Sequence, residues 1–358
     1  MARALEKHCG EVVPLSTMPS AAARWGRVRN KLSRMLLGRG VNYLHNAVLS
    51  RRYSRHYANL LRDKLDGNVD LIFVTAGSTQ IALLDTGIPI VYTSDATFEL
   101  MRDYYPDFTN LSRASAAQGN AIERGALQKA EAVLYPSAWA AQSARQFYNV
   151  DPSKIHVIPY GANLDCVPGG GEGLACSKPD NVCVLTFLGV DWKRKGGSIA
   201  YATLRALQAM GLRSRLVVCG CTPPASFRAE GVEVIPRLDK NRPTDQAALS
   251  NLLLSSNFLL LPTRRECYGI VFCEASAHGT PAIATDTGGV SGAVDHGRNG
   301  YLLPPTAGAD EYARLIYGLF HDRKRYLDLV ASSRAVFEER LNWDHWAVRV
   351  RELISGIG

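Results

Sequence analysis

Short apolar runs alternate with helical patterns through the second half of the chain. Six apolar runs predict buried strands at 182–188, 215–219, 232–236, 258–261, 281–284 and 300–303. Patterns with helical periodicity lie between and after them, at 197–210, 244–253, 270–278 and 310–320. Because strands that alternate with helices build parallel sheets covered on both faces, we predict an α/β domain here.

The first half repeats this alternation with less regular spacing. Its apolar runs predict strands at 70–74, 89–92, 132–135 and 154–158. Ser137 is the predicted N-cap of a helix over 138–148, since a serine side chain accepts a hydrogen bond from the first turn. Residues 159–180 are rich in Gly and Pro and form the predicted linker between two α/β units. Ligands of such sheets bind beyond the carboxyl ends of the strands, here in a cleft between the units.

The composition agrees with a globular chain of two domains. Its 358 residues exceed the usual size of one domain, and 46% of them are apolar. No apolar run approaches the roughly 18–20 residues of a membrane-spanning helix, and residues 1–8 lack the apolar segment of a secretory signal. Of eight cysteines only Cys219 and Cys221 are closely spaced, without a second pair or nearby His to complete a zinc site. We therefore predict a reducing, cytoplasmic location.

The strongest chemical signal is the segment 264–275, where a buried strand leads through a loop into a helix. Glu266 lies in the loop and Glu274 on the second turn of the helix, so both carboxylates are predicted to accept hydrogen bonds from sugar or ribose hydroxyls. Gly269 allows the backbone to come close to a ligand. Backbone N–H groups at a helix start can hold a diphosphate, and here they belong to Cys267, Tyr268, Gly269 and Ile270. The alternative is that both glutamates are ordinary surface acids.

A second signal follows the strand 182–188. Gly189 ends the strand, and a loop with three consecutive cations, Lys193, Arg194 and Lys195, leads to two glycines that open a helix. Cations beside backbone N–H groups form a clamp for a diphosphate. The alternative is a solvated basic turn. The spacing differs from that of the Gly-x4-Gly-Lys-Ser/Thr loop of other nucleotide-binding proteins.

Both segments, in this order, resemble those of glycosyltransferase family 4, the retaining enzymes of the GT-B fold. The resemblance continues in the segments 158–162, 281–289 and 295–303. It implies two Rossmann-like domains that face each other across a cleft. The implied boundaries are an acceptor-side domain at 1–165, a linker at 166–180, a nucleotide-sugar-binding domain at 181–340, and a C-terminal helix at 341–358 that crosses back to the first domain.

The resemblance also implies roles for individual residues. Glu266 would contact the donor sugar, Glu274 the ribose of the nucleotide, and Lys195 the diphosphate. The family commonly has an Arg directly after the strand-end glycine, where this chain has Val190, and Arg194 would substitute for it. Asp95 lies where many members have a His that faces the donor sugar, although an Asp that caps the next helix is an equal alternative.

The implied activity is transfer of a hexose from a nucleotide-diphosphate sugar to a glycan or lipid-linked acceptor, in polysaccharide or glycoconjugate synthesis. Retaining members of this fold generally lack a protein nucleophile. The resemblance therefore implies front-face attack, in which positioning and charge stabilisation of the leaving diphosphate do the work. We expect no cofactor beyond the donor substrate, and no metal, because no Asp-x-Asp motif is present. A nucleotide-sugar epimerase and a catalytically silent nucleotide-sugar-binding partner are the alternatives.

The beginning of the chain raises two further expectations. Residues 1–64 hold thirteen Lys and Arg against three Asp and Glu, whereas the rest of the chain has a net charge of −2. The basic part at 24–64 predicts either peripheral binding to an anionic membrane or a helix with a solvated basic face, and no nucleic-acid motif accompanies it. Residues 2–13 resemble the end of the family's first helix and its second strand. The first strand of the N-terminal sheet is therefore expected to be missing from this chain, upstream of Met1; the alternative is that another segment fills its place.

Overall fold

The computed structural model describes residues 1–15, 47–62, 65, 69–169 and 172–357. The chain divides into two compact units. The N-terminal unit holds Ala4–Ile158 and Arg351–Gly358, and the C-terminal unit holds Pro159–Val350. Each unit is described separately below.

The N-terminal unit contains a parallel sheet of four strands in the order β1-β2-β3-β4. The strands are β1 (Ile72–Thr75), β2 (Ile90–Thr93), β3 (Ala132–Tyr135) and β4 (Ile155–Val157). The helices along this part of the chain are α1 (Ala2–His8), α2 (Ala47–Arg62), α3 (Ser78–Ile81), α4 (Phe98–Met101), α5 (Arg113–Lys129) and α6 (Ala138–Tyr148). All residues of β2 and β3 are buried, as expected for inner strands of a covered parallel sheet.

Helix α6 has the boundaries that the sequence predicts. The hydroxyl of Ser137 accepts a hydrogen bond from the N–H of Ala140 (3.3 Å), which confirms the predicted N-cap. The helix ends at Asn149, whose left-handed backbone (φ 52°) turns the chain toward β4. Its apolar face packs with α5 and the sheet into one core.

The extreme N-terminal residues differ from the sequence prediction. Helix α1 is present, but residues 11–15 have no regular secondary structure, so the strand expected near Val12 and Val13 is not formed. Gly10 has φ +136°, Pro14 has no N–H to donate to a ladder, and Val13 is 67% exposed. Within the described ranges, no strand precedes β1.

The C-terminal unit contains a six-stranded parallel sheet in the order β10-β9-β8-β5-β6-β7. Its elements in chain order are α7 (Glu172–Cys176), β5 (Cys183–Leu188), α8 (Gly197–Ala209), β6 (Ser214–Cys219), β7 (Val232–Ile235), α9 (Pro243–Leu254), β8 (Phe258–Leu261), α10 (Ile270–Ala277), β9 (Ala282–Thr285), β10 (Gly300–Leu303), α11 (Ala309–His321), α12 (Arg323–Arg340) and α13 (Trp343–Ile354), of which residues 351–354 belong to the N-terminal unit. The predicted strands and helices of this half are confirmed with shifts of one or two residues at their ends. Helix α7, inside the predicted linker, and helix α12 were not predicted.

The α/β prediction is therefore correct for both halves of the chain. Helices alternate with parallel strands, and the strands β5 and β8 are buried along their whole length. In the part of the chain that the structure describes, every helix is too short or too polar to cross a membrane.

Candidate functional site

The topology of the second sheet brings two predicted loops together. Strand β5 lies between β6 and β8, although β6 and β7 separate β5 from β8 along the chain. All these strands are parallel, so the loops after β5 and β8 leave the same edge of the sheet side by side. A change of direction in the strand order of this kind is where open α/β sheets bind their ligands.

The loop after β5 is a tight turn that carries the cations. The carbonyl of Asp191 accepts the N–H of Lys195 (3.1 Å), and the Asp191 carboxylate accepts the N–H of Arg194 (2.9 Å). Gly196 has φ +78°, and a Cβ there would lie 1.9 Å from the carbonyl oxygen of Pro262. Only glycine fits at this position, because both its backbone conformation and its contact with the neighbouring loop exclude a side chain.

Gly189 makes room for Lys195. A Cβ on Gly189 would come within 2.8 Å of the Lys195 Cγ, so the aliphatic stem of the lysine passes directly over the glycine backbone. Lys195 is 7% exposed, which is unusual for a lysine and requires an acidic partner. The next residue, Val190, is 62% exposed. The position that holds an Arg in the resembling family thus presents an apolar side chain to solvent.

The loop after β8 is joined to the cationic turn by backbone hydrogen bonds. The N–H of Arg264 donates to the carbonyl of Arg194 (2.8 Å), and the guanidinium of Arg194 donates to the carbonyl of Arg265 (3.0 Å). Gly269 then caps helix α10 with φ +89°. Since the first N–H groups of any α-helix lack intrahelical acceptors, this end of α10 is a place where an anion can bind.

Two of the predicted binding residues offer only their backbone. Cys267 and Tyr268 are 4% and 1% exposed. The hydroxyl of Tyr268 donates to the carbonyl of Tyr160 (3.0 Å), and burial raises its pKa well above the ordinary value. Their side chains therefore pack beneath the loop and leave only the backbone to face a ligand.

Glu266 extends from the loop after β8 toward the cationic turn and pairs with two of its three cations. Its Oε2 accepts a hydrogen bond from the ammonium of Lys195 and lies 3.7 Å from the guanidinium of Arg194. Its backbone carbonyl accepts the N–H of Gly289 (3.1 Å), which holds the loop against the residues after β9. Glu266, Arg194 and Lys195, separated by about 70 positions in the sequence, thus form one charged cluster beside the N-terminus of α10.

Glu274, on helix α10, forms a second ion pair. The residue is 1% exposed, and its Oε1 accepts a hydrogen bond from the ammonium of Lys240. Burial raises the pKa of Glu274, while Lys240 and a hydrogen bond from the backbone of Asn163 lower it again. The sequence prediction included Glu274 and missed Lys240. The available signal was a group of three cations, Arg237, Lys240 and Arg242, in the polar loop at the carboxyl end of β7.

Asp95 lies in the N-terminal unit, directly beyond β2, and its side chain is exposed. The alternative that it caps the next helix is wrong. The N-cap of α4 is Thr97, whose hydroxyl accepts a hydrogen bond from the N–H of Leu100 (3.4 Å). The role of Asp95 toward a sugar stays a prediction, as do the individual roles of the residues in the C-terminal unit.

The two closely spaced cysteines, Cys219 and Cys221, are both free thiols. Cys219 is buried at the end of β6, and burial raises its pKa to about 11. Cys221 is partly exposed, and burial likewise raises its pKa. Among the residues that the structure describes, no three His, Cys, Asp or Glu side chains are grouped closely enough to hold a metal ion.

Two family models match the chain, one in each half. The model described as "Glycosyltransferase Family 4" matches residues 1–165. The model described as "Glycosyl transferases group 1" matches residues 177–336 and therefore includes both loops of the site. Together the two models account for most of the chain.

Curated relatives and solved structures give the same result. A D-inositol 3-phosphate glycosyltransferase of Gordonia bronchialis is 25% identical over 288 residues, 72% of this chain and 59% of the relative. The chain spans about six-tenths of the length of such curated relatives. The fold is similar to that of sucrose-phosphate synthase from Thermosynechococcus elongatus (TM-score 0.63, 20% identity, covering 86% of this chain and 79% of that one). It is also similar to that of Anabaena HepE in complex with UDP-glucose (TM-score 0.60, 15% identity, 86% and 82% covered). The chain belongs to glycosyltransferase family 4 and has the GT-B fold.

Proposed function

We propose that this chain transfers a hexose from a nucleotide-diphosphate sugar to a glycan or lipid-linked acceptor. The observation that supports this most directly is the cluster of Lys195, Arg194 and Glu266 at the N-terminus of α10. It combines cations and helix N–H groups, which suit a diphosphate, with a carboxylate, which suits sugar hydroxyls. Family membership and the UDP-glucose bound by HepE support the same donor class.

We assign the roles in this reaction as follows. Lys195, with Arg194 in place of the family's usual arginine, neutralises the diphosphate together with the N–H groups at the start of α10. Because Lys195 and Arg194 already contact Glu266, a bound diphosphate would share them with that carboxylate. Glu266 accepts hydrogen bonds from the donor sugar, Glu274 accepts them from the ribose, and Asp95 hydrogen-bonds a sugar hydroxyl.

The proposed mechanism retains the anomeric configuration and uses neither a protein nucleophile nor a metal. The bond from the anomeric carbon to the diphosphate breaks while the acceptor hydroxyl attacks the same face, and the leaving phosphate oxygen takes the acceptor proton. The protein contributes by positioning the donor and by stabilising the charge that develops on the diphosphate. Lys195 is suited to this role because its ammonium is held in a fixed, largely buried position, where it interacts strongly with an anion.

The acceptor, the domain boundaries and the location belong to the same proposal. We place the acceptor-side domain at 1–165, the linker at 166–180, the donor domain at 181–340 and the helix that returns to the first domain at 341–358. The similar enzyme from Gordonia bronchialis is named for an inositol phosphate acceptor, which also has several hydroxyls. A cytoplasmic protein that binds peripherally to the inner face of the membrane would meet lipid-linked acceptors there.

A second candidate is a catalytically weak partner that binds nucleotide sugar for another transferase, or an epimerase that acts on it. The exposed Val190 in place of a family arginine favours a weakened site. Turnover of UDP-glucose and other nucleotide sugars, with and without a lipid-phosphate acceptor, distinguishes the three activities. A transferase consumes the nucleotide sugar only when the acceptor is present, and an epimerase converts it without the acceptor. A silent partner shows no turnover in either case.

The test of the donor site is calorimetric binding of a panel of nucleotide sugars, preceded by a thermal-shift screen. Lys195→Ala and Glu274→Ala should each weaken binding roughly ten- to a hundredfold, as expected for loss of a charge-assisted contact of about 1.5–3 kcal/mol. Circular dichroism and unfolding curves should first show that each variant is folded. Wild-type affinity in both folded variants would overturn the assignment of the site.

A further inference from the structure

The loop between β7 and α9 places a lysine against the buried carboxylate of the proposed ribose site. The side chain of Glu274 is 2% exposed, whereas that of Lys240 is 45% exposed. Lys240 therefore reaches inward from a loop near solvent and contacts Glu274 on helix α10. The two residues are 34 positions apart in the sequence.

Hydrogen bonds hold the backbone of this loop in place, so the Lys240 side chain extends from a fixed position. The N–H of Asp239 donates to the carboxylate of Asp245 (2.9 Å). The side-chain amide of Gln246 donates to the carbonyl of Lys240 (2.7 Å) and to the carboxylate of Asp165 (2.6 Å). These bonds connect the loop to the first turn of α9 and to the segment before β5.

The surroundings of Glu274 leave Lys240 as its main source of positive charge. Apart from Lys240, the carboxylate receives a hydrogen bond from the backbone of Asn163. Cys273 precedes it, and burial raises the pKa of that thiol to about 12. His278, one turn later, contacts the backbone carbonyl of Glu274, and burial lowers its pKa to about 4. Neither neighbour changes its charge between pH 6 and 8. Burial lowers the pKa of Lys178, which donates to the carbonyl of His278 (3.1 Å), to about 7, so Lys178 does titrate in this range. Because Lys178 is present in every variant compared below, the difference between variants reports Glu274.

We propose that Lys240 is a positioning residue of the donor site, which holds the Glu274 carboxylate ionised and oriented to accept the two ribose hydroxyls of the nucleotide. This inference rests on the proposed function, because it concerns the same nucleotide site. Its physical basis is that a buried carboxylate without a counter-charge becomes protonated, and a neutral carboxyl is a weaker acceptor for hydroxyl groups. Lys240 thus acts through Glu274, and its effect on nucleotide binding depends on the ribose hydroxyls.

The first test compares the pH dependence of UDP binding by calorimetry in the wild type, Lys240→Met and Lys240→Arg. In Lys240→Met the pKa of Glu274 rises, so its UDP affinity relative to the wild type should fall by about five- to tenfold between pH 8 and pH 6. Protonation of the terminal phosphate of UDP affects all variants equally and cancels in this comparison. Lys240→Arg keeps a cation at this position and should preserve the wild-type profile. Lys324→Met is the matched control, since Lys324 is an exposed lysine in a surface ion pair with Asp328.

The second test replaces UDP by 2′,3′-dideoxy-UDP, which lacks the two hydroxyls. The affinity difference between the wild type and Lys240→Met should then disappear at every pH. An equal loss for UDP and dideoxy-UDP, or a Lys240→Met profile that follows the wild type, would overturn the inference. Failure of the wild type itself to bind UDP, UDP-glucose or the other nucleotide sugars of the panel would instead count against the proposed function.

Discussion

Replacing Glu123 by Gln should remove a pH-dependent loss of stability from the N-terminal unit. Glu123 lies on α5 and is 4% exposed. Side chains of Ser78 and Tyr92 hydrogen-bond to it, but within the described part of the chain its Oε1 has no hydrogen-bond partner. Burial raises the pKa of this carboxyl to about 7, because the opposing hydrogen bonds compensate only in part for lost solvation.

The sign and size of the effect follow from this pKa. An unfolded chain ionises the residue above pH 4.5, whereas the folded chain keeps its proton until about pH 7. Between these values the folded state binds more protons, so the free energy of unfolding falls as pH rises. For a shift of this size the loss between pH 5 and pH 8 is about 2–3 kcal/mol. Glutamine does not titrate, so Glu123→Gln should lack this loss.

The assay is urea unfolding at pH 5, 6, 7 and 8, in which the difference between Glu123→Gln and the wild type is followed against pH. Using the change with pH cancels any constant packing cost of the amide. Glu131→Gln is the matched control, because Glu131 belongs to the same unit and its side chain is 53% exposed. A wild-type pH slope in Glu123→Gln would show that Glu123 is ionised in the folded protein at neutral pH, and the reasoning would be wrong.

Three further predictions concern the C-terminal unit and the basic segment. Gly196→Ala should abolish nucleotide-sugar binding, measured by calorimetry, because a Cβ would collide with the carbonyl of Pro262. The control is Gly211→Ala, where φ is +82° but the space around the residue is open. It should lower the free energy of unfolding by only about 1–2 kcal/mol and keep binding. Lys178→Met should lower the free energy of unfolding in urea at pH 6 by about 2–4 kcal/mol, because the buried amino group donates to the carbonyls of Leu253 and His278 and to the hydroxyl of Thr280. The pH is chosen because burial lowers the pKa of Lys178 to about 7. An unchanged value would mean that these acceptors find other donors. Binding to anionic liposomes should weaken steeply as the salt concentration rises, and it should be lost when Arg27, Arg29, Lys31 and Arg34 are replaced by Gln. Equal, salt-insensitive binding of the wild type and this variant would leave only the solvated basic face.

The four cations of the liposome test lie outside the described residues, as do 24–46 and 63–64 of the basic segment. The described part of this segment is helix α2. Its buried face includes Tyr57 and Leu61, while Arg52, Arg55 and Arg62 are exposed. The described helix thus has the solvated basic face of one alternative, and membrane binding stays a prediction.

Local patterns were sufficient to predict the elements that surround the site. Apolar runs identified β5 and β8, because inner strands of a parallel sheet are buried on both faces and so carry unbroken apolar sequence. The glycines at 196 and 269 marked the starts of α8 and α10, because both have left-handed backbone that other residues rarely adopt. Ser137 marked the start of α6, because N-capping depends on neighbours only three residues away.

The contacts that make these elements a site depend on the order of strands in the sheet. Lys195 meets Glu266 because β5 and β8 are neighbours, and Lys240 meets Glu274 because the loop after β7 turns toward α10. Likewise Pro14 and the exposed Val13 end a segment that the family resemblance of residues 2–13 suggested as a strand. Sequence patterns act over a few residues, whereas ion pairs, burial and the resulting pKa values depend on which distant segments pack together. For this reason the sequence identified Glu266, Glu274 and Lys195, whereas only the tertiary structure paired Lys195 with Glu266 and identified Lys240 as the partner of Glu274.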